Sequence, residues 1–176
     1  GDIDSLGSAI GIYRIAKTLE KKAHIVVNDV SSSVKPLVDL FKGNPDYEED
    51  MIIGSPTAIE LAGTNSVLVV VDVDKPSITE CPELLKMCKA IVVLDHHRRG
   101  SETIENATLS YVEAYASSAC EMVSEILQYI GDNIKVKPDE ADCMYSDIMI
   151  DTNNFMTKTG VRTFEAAAFL RRNGAD

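Results

Sequence analysis

Ala90-Ile91-Val92-Val93-Leu94-Asp95-His96-His97 is the stretch that decides the fold. Five apolar residues in a row, without polar alternation, read as a strand buried on both faces, as in a parallel sheet. A carboxylate and two imidazoles follow at once, so they emerge at the strand's C-terminal edge. Open α/β sheets bind their ligands along that edge. The chain has three histidines, and two of them stand here.

Working outward, three more acidic signals occupy comparable places. Val67-Leu68-Val69-Val70-Val71 ends in Asp72, Ile148-Met149-Ile150 ends in Asp151, and Asp2-Ile3-Asp4 opens the chain just before a glycine-bearing helix. One Asp after a strand is commonly a helix cap or turn former, and a His-His pair can be incidental. Four such signals in one chain point instead to carboxylates and imidazoles converging, which is what a divalent-metal site requires.

The segments between these signals alternate helix and strand. Residues 5–20 are expected as a helix capped by Ser5, with Leu6, Ala9, Ile10, Tyr13, Ala16 and Leu19 as its apolar stripe. Gly7 and Gly11 share a face of it and would let it approach a sheet or a ligand closely. Strands are expected at 24–28, 51–53, 66–72 and 90–95, with short helices at 34–41 and 56–62 and a crossover containing 83–89. This pattern predicts βαβ units and an α/β fold with a mainly parallel sheet flanked by helices. A short strand at 108–113 and helices near 117–131, 138–150 and 163–173 complete a more helical second part. Pro138, Asp139 and Glu140 suit a helix start. Gly131 and Gly174 suit helix ends.

The 176 residues suit one domain, or one domain plus part of another. A domain of this size buries roughly 70% of its unfolded surface, so it needs no staples. No apolar run approaches the ~20 residues of a membrane span. Cys81, Cys88, Cys120 and Cys143 form no C-x-x-C pair and read as reduced thiols. The net charge of −11 argues against a duplex nucleic-acid surface, which is normally basic. Asp2, Asp4, Asp72, Asp95 and Asp151 contribute to that charge, and bound divalent ions would reverse it locally, so a phosphate-bearing substrate remains compatible.

Carboxylate oxygens with a minority of imidazole nitrogens suit Mn²⁺ and related ions. A pair of ions needs a bridging carboxylate, and Asp72, on a central strand, is the natural candidate. Two metals ~3.5–4 Å apart can activate a water and stabilise oxygens of a phosphate under in-line attack. The chemistry expected is phosphoester hydrolysis without a protein nucleophile. Arg98, Arg99 and Arg162 have guanidinium groups that match phosphate geometry, though they read equally well as surface charge. Ser117 and Ser118 open a helix, where phosphate binds readily and where simple capping also explains a serine. Asn153 and Asn154 lie beside Asp151 and either line the pocket or form a turn. His24 reads as structural.

The order D-x-D, Asp, D-H-H, Asp resembles the DHH phosphoesterase superfamily over essentially the whole chain. Asp2-Ile3-Asp4-Ser5-Leu6-Gly7-Ser8-Ala9-Ile10-Gly11, Asp95-His96-His97-Arg98-Arg99, Tyr115-Ala116-Ser117-Ser118, Asp151-Thr152-Asn153-Asn154-Phe155 and Arg162-Thr163-Phe164-Glu165-Ala166-Ala167 are similar to the membrane-anchored cyclic-di-AMP phosphodiesterases. So is the closing Leu170-Arg171-Arg172-Asn173-Gly174-Ala175-Asp176. The resemblance implies two Mn²⁺ ions. Asp2 matches a ligand of the first and Asp4 one of the second, Asp72 bridges both, and His96 and Asp151 complete the second. His97 would face the substrate phosphate or support the ligands, and Asp95 would hold or orient its neighbours.

By the same resemblance, residues 1–176 form a DHH phosphoesterase domain that begins after the family's first motif His. A C-terminal DHH-associated domain with the substrate loop is expected in the parent protein. N-terminal helices there would anchor it at the cytoplasmic face of the membrane. The implied reaction is hydrolysis of cyclic di-AMP to linear 5′-pApA. A DHH hydrolase of short oligonucleotides, linear dinucleotides or pyrophosphate is the alternative, and a nucleotide-binding regulatory module is the non-enzymatic one. Homodimerisation stays open.

Overall fold

A computed structural model describes residues 3–28, 30–72, 80–96, 104, 107–112, 116, 118–152 and 159–176. The chain runs α1 (Ile3–Thr18), β1 (Ile25–Val26), α2 (Lys35–Asp39), β2 (Ile52–Ile53), α3 (Ser55–Leu61), β3 (Val67–Val71), α4 (Leu84–Met87), β4 (Ala90–Asp95), β5 (Leu109–Val112), α5 (Ala119–Ile130), α6 (Pro138–Asp151) and α7 (Val161–Arg172). Every pairing among the described strands is parallel: β1 with β2, and β3–β4–β5 in that order. The expected α/β architecture, a parallel sheet flanked by helices, is therefore present.

β4 lies in the middle of its three strands, and Ile91, Val93, Leu94 and Asp95 are all buried there. That is why its sequence shows no polar alternation. Leu94 belongs to the main apolar core, with Cys120, Val123 and Leu127 of α5, Met144 and Ile148 of α6, and Leu170 of α7. A second core joins Leu6, Ile10 and Tyr13 of α1 to Ile25, Ile52, Val38 and Phe41. The four cysteines are buried thiols that form no disulfide. Burial pushes the Cys143 thiol up to about 12.

α1 begins two residues earlier than its stripe predicts, so Ser5 lies inside the helix and not at its cap. The notch made by Gly7 and Gly11 faces helices, where a sheet or ligand was expected. A β-carbon on Gly11 would stand 2.4 Å from Val123 Cγ1 and 2.9 Å from Met144 Cε. α5 and α6 thus close on α1 at the distance that only glycine permits.

Candidate metal centre

Parallel pairing of β3 with β4 sets Val71 opposite Leu94. The next residue of each strand, Asp72 and Asp95, therefore arrives at the same C-terminal edge. There the Asp72 amide donates to the Leu94 carbonyl at 2.9 Å. The chain then turns through φ 65° at Asp72. Few residues other than glycine visit this left-handed region, and Asp and Asn are among those that tolerate it. A turn that a β-branched residue would resist thus carries a carboxylate at its tip.

Both carboxylates are buried, Asp72 at 5% exposure and Asp95 at 0%. Oδ1 of Asp95 accepts the His96 amide at 2.9 Å, which fixes the start of the segment leaving β4. His96 Nε2 then lies 3.1 Å from Asp72 Oδ1. Asp72, Asp95 and His96 each offer one ligand atom, and these atoms all lie within 4.8 Å of one another. Two carboxylates and an imidazole so gathered make a donor set for a hard or borderline divalent ion. The residues present fit the group that the sequence pattern implies.

Of the other expected ligands, Asp4 lies in the first turn of α1 and Asp151 is the last residue of α6. Asp2, His97, Arg98, Ser117 and Asn153 lie outside the described residues. Ser118 is the N-cap of α5, and its buried hydroxyl accepts the Glu121 amide at 3.0 Å. Arg162 donates from Nε and Nη2 to Glu125 Oε2 at 2.9 and 2.7 Å. His24 Nδ1 lies 2.7 Å from the Asp50 carbonyl, in keeping with a structural role.

Sequence reasoning missed two buried acids. Glu121, in the first turn of α5, is buried and accepts a hydrogen bond from the Thr163 hydroxyl, tying α5 to α7. Asp147, on α6, is fully buried against Gly7 of α1. Its one sequence signal is the four-residue step to Asp151, which puts both on one face of the helix.

The family model for the DHH family, N-terminal domain, matches residues 1–148. The chain belongs to the DHH family. This DHH domain is 41% identical over 179 residues to the cyclic-di-AMP phosphodiesterase GdpP of Bacillus subtilis (strain 168), covering 99% of the chain and 27% of that relative. It is 40% identical over 177 residues to the cyclic-di-AMP phosphodiesterase PdeA of Listeria monocytogenes serotype 1/2a (strain 10403S), with the same coverages. The chain thus spans about 27% of the length of these curated relatives. An exopolyphosphatase-related protein from Bacteroides fragilis shares the fold, with TM-score 0.78, 19% identity, and coverage of 100% of this chain and 51% of that one.

Proposed function

We propose that this DHH domain is the catalytic part of a phosphodiesterase that opens cyclic di-AMP to linear 5′-pApA with two bound Mn²⁺ ions. The observation that carries the reading is the 41% identity, over 99% of the chain, to a phosphodiesterase of that specificity. The gathering of Asp72, Asp95 and His96 at the sheet edge supports it. Asp2, Asp4, Asp72, His96 and Asp151 would hold the ions, with Asp72 shared between them. Bound there, the ions would supply Lewis acidity toward the phosphoryl oxygens and make an attacking water more acidic.

The remaining work belongs to the chain's own groups. Asp95 holds the His96 backbone through its amide and so sets where the imidazole stands. His97 would face the substrate phosphate or support the ligands. Arg98, Ser117, Ser118 and Asn153 would contribute to substrate binding. A C-terminal substrate domain closes over the nucleotide, and N-terminal helices of the parent protein hold it at the cytoplasmic face of the membrane. Among the described residues no helix is long and apolar enough to cross a membrane.

The test is Mn²⁺-dependent hydrolysis of cyclic di-AMP by the intact protein, with linear pApA run beside it. Opening of the cyclic form, lost in Asp151→Asn with circular dichroism unchanged, is the expected result. Turnover of pApA alone would move the substrate to linear dinucleotides. Full activity in Asp151→Asn would overturn its assignment as a ligand.

A further inference from the structure

Three contacts set α1 against α6. Gly7 meets Asp147, Gly11 meets Met144, and Arg14 meets Glu140. Numbers rise along α1 while they fall along α6, so the helices are antiparallel. Continuing the ladder by one turn from Gly7 and Asp147 brings Asp4 level with Asp151. Both of these residues stand at the helix ends that carry the expected metal ligands.

The rung nearest that end has an unusual form. A β-carbon on Gly7 would stand 2.4 Å from Asp147 Oδ2, 2.7 Å from its Cβ and 3.0 Å from its Cγ. The Asp147 side chain therefore fills the space that any side chain at position 7 would need, and it is fully buried there. A methyl group would fill a notch between two helices with far less desolvation than a carboxylate. The side chain that fills this notch stands one turn beneath two expected ligand positions, so it sets how closely the two helix ends approach there.

We propose that Asp147 is a positioning residue. Locked into the notch at Gly7, it sets the spacing and register at which α1 and α6 present Asp4 and Asp151 to divalent ions. This rests on the metal reading above, and residues supporting metal ligands typically change affinity by about 10–100-fold when altered.

The experiment is Mn²⁺ titration of the intact protein, followed by the electron paramagnetic resonance signal of free Mn²⁺, with thermal melts alongside. Asp147→Ala and Gly7→Ala should each weaken binding about tenfold or more. The double variant, in which the new methyl at position 7 fills the space left by Asp147, should recover most of the loss. Should Gly7→Ala fail to fold, Asp147→Ala and the double variant still decide. A lowered melting temperature in Asp147→Ala with wild-type affinity would reduce it to a packing residue and overturn the proposal. So would a double variant that binds no better than Asp147→Ala. Asp72→Asn is the control. Weakened binding there with wild-type binding in Asp147→Ala sinks this proposal alone, whereas undiminished binding in Asp72→Asn sinks the metal reading and this proposal together.

Discussion

Two of the places where the domain buries carboxylates treat them differently. Glu140, in the first turn of α6, is fully buried and ringed by donors. Arg14 reaches it with Nε at 2.7 Å and Nη2 at 2.5 Å, the Tyr47 hydroxyl at 2.8 Å, and the Lys137 amide at 3.0 Å. At the sheet edge, Asp72 and Asp95 are drawn toward each other and toward His96, with ligand atoms within 4.8 Å. A carboxylate enclosed by a guanidinium, a phenol and an amide is a fastener, because each donor comes from a different part of the fold. Carboxylates gathered on one another raise their mutual repulsion, which folding alone has no reason to maintain. Burial marks both regions, and the company of each charge separates scaffold from site.

Breaking the sheet-edge cluster should have the largest effect, and it should fall on chemistry. Asp72→Asn keeps the size of the side chain and its tolerance of the left-handed turn, so the fold should survive. Turnover should fall by about 100-fold, since partners behind metal ligands already cost about 10–100-fold and a ligand should lie at the upper end of that range. Steady-state kinetics with circular dichroism checks this, and a variant within tenfold of wild type would remove Asp72 from the centre. Breaking the Glu140 enclosure should fall on stability. Arg14→Met leaves a buried charge without its cation and should cost about 3–5 kcal/mol in denaturant melts. Turnover of the fraction that stays folded should hold, and a large loss of rate at unchanged stability would erase the distinction between the two regions.

How much of this was legible in the sequence follows the range of the interactions. β4 occupies the residues its apolar run predicts, and Asp72 and Asp95 meet because two adjacent parallel strands end together. β1 covers only Ile25–Val26 of an expected five-residue strand, and β2 is its one described partner. The start of α1 was misplaced because Ser5 is a good cap by type, while the helix begins at Ile3. The Glu140 enclosure was not legible at all, and Asp147 only through its four-residue step to Asp151. Arg14 and Glu140 are 126 positions apart, so no local pattern links them. Glu140 read only as an acid suited to a helix start, and what buries Asp147 is Gly7, 140 positions away on another helix.

The smallest effect tests the fastener from its outer side. Burial, and then the negative charge of Glu140 that its hydroxyl bonds, pushes the Tyr47 phenol well above its usual value near 10. In the unfolded chain that phenol loses its proton as pH passes about 10, while in the folded chain it keeps it. The folded state then binds more protons than the unfolded state, so stability declines as pH rises beyond that point. Below it the contribution is complete. Tyr47→Phe should remove this part of the alkaline slope and, at neutral pH, cost on the order of 1 kcal/mol for the lost hydrogen bond to a charged partner. Urea melts from pH 8 to 11 on both proteins would show it, with absorbance at 295 nm reporting phenolate. Early ionisation of Tyr47 in the folded protein, or parallel slopes in the two, would mean that Arg14 and the Lys137 amide satisfy Glu140 and that the phenol only leans on it.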